Sequence, residues 1–164
     1  MANHRIWAPW RLRYVSKASK QTECVFCAKP EEGSAGSDRE ALIVHRGERA
    51  YVILNLYPYT SGHLMVAPFE HIGRLQDIEP EVTAEMMDLA QQAIRKMEEV
   101  YSPEGFNMGV NQGRVAGAGV EGHIHLHVVP RWAGDNNYMP VLADTRVMPQ
   151  SLEETYDALE GGFS

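Results

Sequence analysis

Three histidines, His123, His125 and His127, occupy alternate positions in one short stretch of the chain, and an apolar residue follows each of them. An imidazole can ligate a metal, carry a proton or attack phosphorus as a nucleophile. In a strand, residues two apart project from the same face, about 6.6 Å from each other. Two such neighbours can share one zinc ion, but three hardly can, because Zn–N bonds are only about 2.1 Å long. The spacing therefore predicts that the three imidazoles have separate roles.

Cys24 and Cys27 are the only cysteines, and their C-x-x-C spacing is typical of half a zinc site or of a redox pair. A redox pair is expected where a strand ends and a helix opens, whereas this pair follows a polar arm, so zinc is favoured. The alternative is two small buried residues without a metal. A structural zinc site needs two further ligands. The imidazole donors available are His4, His45, His63, His71, His123, His125 and His127.

A glycine-rich segment, residues 113–122, runs directly into the histidines and contains four glycines in ten residues. Backbone N–H groups of such a loop can approach phosphate oxygens closely. A neutral imidazole beside them can attack phosphorus and form a phosphoramidate. Arg114 and Arg131 flank the region, either as phosphate contacts or as solvated surface charges. The combination indicates a phosphate-containing substrate.

The surrounding pattern predicts the elements that position these residues. Two β-prone runs, 41–46 and 50–55, are predicted to form a hairpin, and 63–68 and 105–112 are predicted to be further strands. A helix is predicted from Pro80 to Tyr101 and another near 151–160, with Ser151 as its cap, whereas 29–40 is predicted to be an exposed loop. The result is an α+β fold, an antiparallel sheet with one long helix packed on it and a C-terminal helix. The helical apolar positions are Val82, Met86, Leu89, Ile94 and Met97.

Composition limits the function classes. With 164 residues, the chain is long enough for one core but not for two full domains. The formal charge of −7 argues against a surface that coats nucleic acid, although local donors can still hold a small anionic ligand. No apolar run approaches the roughly 20 residues that a membrane helix needs. The basic, aromatic start lacks the features of a secretory signal, and a cytoplasmic protein is expected.

The histidine segment resembles the signature of the histidine triad (HIT) superfamily, His-φ-His-φ-His-φ-φ, over residues 123–129. The order of features from Cys24 to about Trp132 is also similar to a HIT domain. Segments outside it resemble the branch that includes diadenosine polyphosphate hydrolases and phosphorylases. The resemblance implies an N-terminal arm over 1–23, a HIT domain over 24–140, and a C-terminal extension with a short helix over 141–164.

The resemblance further implies a nucleotidyl hydrolase or transferase that cleaves dinucleoside polyphosphates, of the diadenosine tetraphosphate type, at an α-phosphorus. His125 would form a covalent nucleotidyl-histidine, His127 would hold the phosphate oxygens and the leaving group, and His63 would complete the cluster. Asn55 matches a residue that binds ribose, and Asn111 matches one that contacts phosphate or sugar. The expected backbone contacts to phosphate come from Gly117, Ala118 and Gly119.

In members of the family with C-x-x-C, a structural zinc is bound by two cysteines and two histidines. These ligands fall on Cys24, Cys27, His71 and His123. Family members are also usually homodimers, so a second copy of the chain is the expected protein partner. The residues Met86, Leu89 and Met97 of the long helix either serve that interface or, more in keeping with their spacing, belong to the core.

One departure affects the substrate class. Many members carry a Ser or Thr three residues before the triad, where this chain has Val120.

The sequence leaves three functional hypotheses. The first is hydrolysis or phosphorolysis through a nucleotidyl-histidine. The second is a zinc-stabilised nucleotide-binding or phosphoramidate hydrolase module that acts mainly through protein contacts, and the third is a metallohydrolase in which the histidines and Glu121 bind a catalytic metal.

Overall fold

A five-stranded antiparallel sheet forms the centre of the molecule, in the strand order β1-β2-β3-β5-β4. The computed structural model describes residues 23–135 and 148–163. The strands are β1 (Ile43–Arg46), β2 (Ala50–Leu54), β3 (Leu64–Pro68), β4 (Gly105–Val110) and β5 (Leu126–Arg131), and the helices are α1 (Val25–Ala35), α2 (Asp38–Ala41), α3 (Pro80–Tyr101) and α4 (Leu152–Leu159). The predicted α+β class and the β1–β2 hairpin are confirmed.

Helix α3 covers one face of the sheet, as the sequence predicts. Pro80 is at its start, where a missing N–H costs nothing, and the helix ends after Tyr101, where Ser102 adopts a left-handed conformation (φ 45°). Its apolar stripe packs on the sheet, so the helix positions that the family resemblance offered as an interface belong to the core. Those positions include Met86, Leu89 and Met97.

Helix α4 joins the same layer, with Tyr156 and Leu159 in the core. It begins with the predicted capping box: the Ser151 hydroxyl accepts a hydrogen bond from the Glu154 N–H, and the Glu154 carboxylate accepts one from the Ser151 N–H. In the part of the chain that the structure describes, no helix has the length and apolar character needed to cross a membrane.

Helix α1 covers part of the opposite face, and here the sequence prediction is wrong. Residues 29–40, predicted as an exposed loop, form most of α1 and most of α2. Contacts from the sheet explain the difference, because Arg46 donates to the Pro30 carbonyl (2.7 Å) and to the Asp38 carboxylate. Such long-range contacts override the loop-like composition of the segment.

The histidine segment alternates between these two faces. Ile124, Leu126 and Val128 enter the core beneath α3, while Phe26 of α1 contacts the rings of His123 and His125 on the other side. The regular strand begins only at Leu126, so His123 and His125 lie in irregular chain just before it. A hydrogen bond fixes this segment, because the Ile124 N–H donates to the Ile72 carbonyl at 2.7 Å. The predicted arm, apart from Glu23, and residues 136–147 lie outside the described residues.

Candidate functional site

Three of the predicted histidines meet at one end of the central strands. The ring centroids of His63 and His127 are 5.2 Å apart, and those of His125 and His127 are 4.9 Å apart. His63 reaches the cluster from the turn before β3, where Gly62 has a positive φ of 80°. A Cβ at Gly62 would come within 3.1 Å of Tyr101 and 3.3 Å of Pro130, so the turn favours glycine both in conformation and in space.

The hydrogen bonds at His63 and His127 define which ring nitrogens carry protons. The Tyr59 N–H donates to His63 Nδ1 (3.1 Å), so the proton of His63 resides on Nε2. His63 Nε2 lies 3.0 Å from His127 Nδ1 and donates to it. His127 must then carry its own proton on Nε2. This relay leaves His127 with an N–H donor for a phosphate oxygen or a leaving group.

His125 is held in the complementary tautomer. Its Nδ1 lies 2.9 Å from the main-chain carbonyl of His123 and donates to it. The lone pair is therefore on Nε2, where a nucleophile needs it. The ring is buried, only 5% exposed.

Burial keeps the imidazoles of His125 and His127 neutral at physiological pH. Desolvation lowers the pKa of His125, and its bond to the His123 carbonyl partly opposes that effect. Desolvation, together with the charge of a protonated His125, lowers the pKa of His127 to about 4. A neutral His125 is nucleophilic and a neutral His127 still has its Nε2–H, so the electrostatics suit the tautomers assigned above.

The predicted phosphate loop is partly closed on itself. A short 3-10 turn spans Arg114–Ala116, and Gly117 after it has a φ of 95°. The Gly117 N–H donates to the Arg114 carbonyl, and the Ala118 N–H donates to the Gly113 carbonyl. The sequence analysis expects the N–H groups of Gly117, Ala118 and Gly119 to bind phosphate. In this conformation, the N–H groups of Gly117 and Ala118 are bonded within the loop instead. Val120 packs against the apolar cluster below α1.

An open cleft of about 430 Å³ adjoins His127 on the side of strand β4. Asn111 lines it, together with Tyr59, Thr60 and Asn107, which the sequence analysis did not identify. Asn107 has a detectable signal, since it lies four residues before Asn111 and residues at even spacing on a strand share a face.

The two flanking arginines, Arg114 and Arg131, form ion pairs with protein carboxylates. Arg131 lines the cleft, but it forms a bidentate pair with Asp135 and also donates to Asn107. Arg114 pairs with Glu121 at 2.8 Å. Both arginines thus have structural partners, and neither is a bare phosphate-binding charge.

Asn55, the predicted ribose contact, lies beside His63 rather than in the cleft. Its side-chain oxygen accepts a hydrogen bond from the Tyr57 N–H (2.9 Å). Its amide nitrogen lies 3.4 Å from both ring nitrogens of His63. Asn55 therefore contacts the His63 ring directly.

The predicted metal ligands form a separate cluster. The ligand atoms of Cys24, Cys27, His71 and His123 all lie within 4.8 Å of one another. Cys27 Sγ is 3.2 Å from His71 Nδ1, and both sulfurs are 3.5 Å from His123 Nδ1. The cluster includes no carboxylate and neither His125 nor His127, which argues against the metallohydrolase hypothesis.

The donor chemistry of this cluster fits a metal ion. His123 Nε2 donates to the Pro68 carbonyl at 2.8 Å, so its Nδ1 faces the sulfurs without a proton. Burial, and next the neighbouring Cys24, raise the pKa of Cys27 to about 11. A bound cation would reverse that effect by stabilising the thiolate. Two thiols and two imidazoles form a donor set for a tetrahedral ion.

Comparisons with known proteins identify related sequences. The model of the HIT domain matches residues 37–134. A Mycobacterium tuberculosis protein named AP-4-A phosphorylase is 41% identical over 155 residues, covering 92% of this chain and 80% of the relative. A bis(5'-adenosyl)-triphosphatase of Dictyostelium discoideum is 30% identical over 93 residues, 57% of this chain and 62% of the relative.

A solved structure shares both sequence and fold. A Zn-bound histidine triad family protein from Mycobacterium smegmatis is 35% identical and superposes with a TM-score of 0.66, covering 85% of this chain and 92% of that one. Because the family model, a relative at 41% identity and this solved structure all match, the chain belongs to the HIT domain family.

Proposed function

We propose that the protein is a nucleotidyl hydrolase or transferase that cleaves dinucleoside polyphosphates at an α-phosphorus through a covalent nucleotidyl-His125. The observation that carries the proposal is the bond from His125 Nδ1 to the His123 carbonyl, which leaves Nε2 as the nucleophile. The names of two relatives, AP-4-A phosphorylase and bis(5'-adenosyl)-triphosphatase, support this substrate class.

In the first step, His125 Nε2 attacks the α-phosphorus. A P–N bond forms, the P–O bond to the polyphosphate breaks, and its electron pair stays on the leaving oxygen. The Nε2–H of His127 donates a hydrogen bond to the charge that develops there. The imidazole becomes cationic, and its Nδ1–H remains bonded to the His123 carbonyl.

In the second step, an acceptor oxygen attacks the same phosphorus and the P–N bond breaks, which returns neutral His125. Water as acceptor releases a nucleoside monophosphate and a proton, whereas inorganic phosphate releases a nucleoside diphosphate. The 41% identical relative named a phosphorylase supports phosphate as acceptor. Asn111 and Asn107, which line the cleft beside His127, provide amide contacts for the acceptor or the sugar.

The experiment is incubation with diadenosine tetraphosphate in the presence and absence of inorganic phosphate. ADP and ATP formed only with phosphate mean phosphorolysis, and AMP and ATP mean hydrolysis. His125→Ala should abolish either reaction, while His45→Ala is the matched control because His45 stacks on Phe163, away from the site. Full turnover by His125→Ala would disprove the covalent role. Background turnover with tight nucleotide binding would support the binding-module hypothesis instead.

We also propose zinc as the ion of the Cys24, Cys27, His71 and His123 cluster. Two sulfurs and two nitrogens are the donors of structural tetrahedral zinc sites. A zinc-bound family structure at 35% identity supports this choice. Cys24, Cys27, His71 and His123 would hold the ion, which would stabilise the thiolates and link the start of α1 to the histidine segment, while His125 and His127 would carry the phosphorus chemistry.

A homodimer is the proposed assembly, in a cytoplasmic protein whose arm and C-terminal extension flank the HIT domain. Strand β4 is at an edge of the sheet, and Asn107, Met108 and Gly109 in it are exposed. An open edge of this kind can pair with a second copy. Sedimentation should give a dimer for the wild type and a monomer for Met108→Lys, since a charge at an edge opposes pairing.

A further inference from the structure

We propose that Phe26 is a positioning residue for the nucleophile, because its ring fixes the plane of the His125 imidazole; this inference rests on the proposed function. The two rings are stacked, with centroids 4.5 Å apart and an interplanar angle of 28°. Both side chains are buried, at 4% and 5% exposure. Phe26 lies between the two cysteines of the metal cluster.

One hydrogen bond does not orient an imidazole. The Nδ1 bond to the His123 carbonyl fixes a single point of the His125 ring, and the ring can still pivot about that bond. The stacked Phe26 ring limits that pivot from one side. His127, at an interplanar angle of 73° to His125, borders the ring in a different direction. The three contacts together fix the direction in which the Nε2 lone pair points.

Phe26 is itself fixed by an unusual feature of α1. Pro30 lies inside the helix and has no N–H to donate to the carbonyl of Phe26, four residues earlier. The hydroxyl of Tyr51, from β2, donates to that carbonyl instead, at 2.7 Å. Burial raises the pKa of Tyr51, so the phenol remains a donor. The sheet thereby holds the backbone that carries the stacking ring.

The test compares two phenylalanines of the same apolar cluster. Phe26→Leu keeps an apolar side chain but loses the flat ring against His125. Phe69→Leu is the matched control, because Phe69 stacks on Tyr51 at 5.1 Å within the same cluster. The measurements are the rate of adenylyl-enzyme formation at saturating diadenosine tetraphosphate, by rapid quench and intact mass, the KM, and the zinc content of each variant.

For Phe26→Leu we expect the adenylylation rate to fall by about tenfold or more, since small misplacements of a reacting group cost up to about a hundredfold. We expect its KM to change by less than about twofold, because an orienting contact acts on the attack more than on binding. Phe69→Leu should keep the wild-type rate, and both variants should keep the wild-type zinc content. An increase in KM at unchanged rate would make Phe26 a wall of the substrate site and overturn the inference.

A second variant covers the case in which Phe26→Leu fails to fold. Tyr51→Phe removes only the hydroxyl that bonds to the Phe26 carbonyl, and it should lower the adenylylation rate at unchanged KM. A wild-type rate in this variant would overturn the inference. If the wild-type enzyme forms no adenylyl-His125 at all, the proposed function and the inference both fail, whereas equal rates in the wild type and Phe26→Leu disprove the inference alone.

Discussion

The proton positions in the site depend on two main-chain groups. The Tyr59 N–H sets the tautomer of His63, and through it that of His127, while the His123 carbonyl sets the tautomer of His125. The histidine spacing predicts the division of labour among the three triad imidazoles. It does not reveal these bonds, because their partners depend on how loops that are distant in sequence pack together.

Replacement of His63 should impair catalysis without removing either proposed reacting group. His63→Ala removes the donor to His127 Nδ1, so His127 can move its proton to that nitrogen and lose the Nε2–H. We expect turnover of diadenosine tetraphosphate to fall by roughly tenfold to a hundredfold, the range for a misplaced catalytic group. Steady-state kinetics beside His45→Ala measures this, and an unchanged turnover would refute the relay.

The lowered pKa of His127 predicts acid sensitivity of the fold. Between the ordinary value of 6.5 and about 4, the unfolded chain binds a proton on this group that the folded chain does not. The free energy of unfolding should therefore fall as the pH drops through that window, and it should not respond to His127 above it. Urea denaturation from pH 7 to 4 measures the slope. A smaller slope in His127→Gln is expected, and an equal slope would contradict the assignment.

At the scale of elements, the predictable parts are those with local signals. Helix α3 follows from its apolar periodicity and Pro80, and α4 follows from the Ser151–Glu154 capping box. Helix α1 has no amphipathic period, and it contains Pro30 and Gly33. It is held instead by Tyr51 and Arg46, which come from other elements, and a local sequence pattern does not show such contacts. The stacking of Phe26 on His125 is also a long-range contact, so the sequence pattern does not reveal it.

The dependence of α1 on Arg46 can be measured. Arg46→Gln loses the charge-assisted bonds to the Asp38 carboxylate and weakens the bond to the Pro30 carbonyl. Such bonds contribute roughly 1.5–3 kcal/mol when well shielded, and the partial exposure of this pair reduces the expected loss to about 1–2 kcal/mol. Denaturant unfolding measures it, with Arg95→Gln on the exposed side of α3 as control. Equal stabilities of the two variants would contradict this account.

At the scale of the whole molecule, the metal cluster links distant parts of the chain. Cys24 and His123 are 99 residues apart in sequence, and both sulfurs face the same imidazole nitrogen. The C-x-x-C spacing indicates half of a zinc site, and only the family resemblance implies the two histidine ligands. The structure adds the Pro68 carbonyl, which orients His123. Pro68 belongs to strand β3, and the sequence does not specify the register of that strand.

Removal of the proposed zinc should therefore destabilise the whole domain. Closing a loop of about 100 residues contributes about 3–5 kcal/mol in cross-linked proteins, which corresponds to a Tm change of roughly 10 °C in a chain of this size. Treatment with a chelator should lower the Tm by about that amount, with loss of one zinc per chain by elemental analysis. Cys27→Ser should show the low Tm before chelation. A protein that loses its zinc at constant Tm would contradict the cross-linking role.

His123 serves the two centres through different parts of the same residue. Its side chain faces the sulfurs, and its main-chain oxygen accepts a hydrogen bond from His125, the proposed nucleophile. Every amino acid has that oxygen, so a substitution at position 123 removes one ligand of the proposed zinc without removing the acceptor for His125 Nδ1. Loss of the metal and loss of the His125 tautomer are therefore separable by mutation, although both contacts belong to one residue.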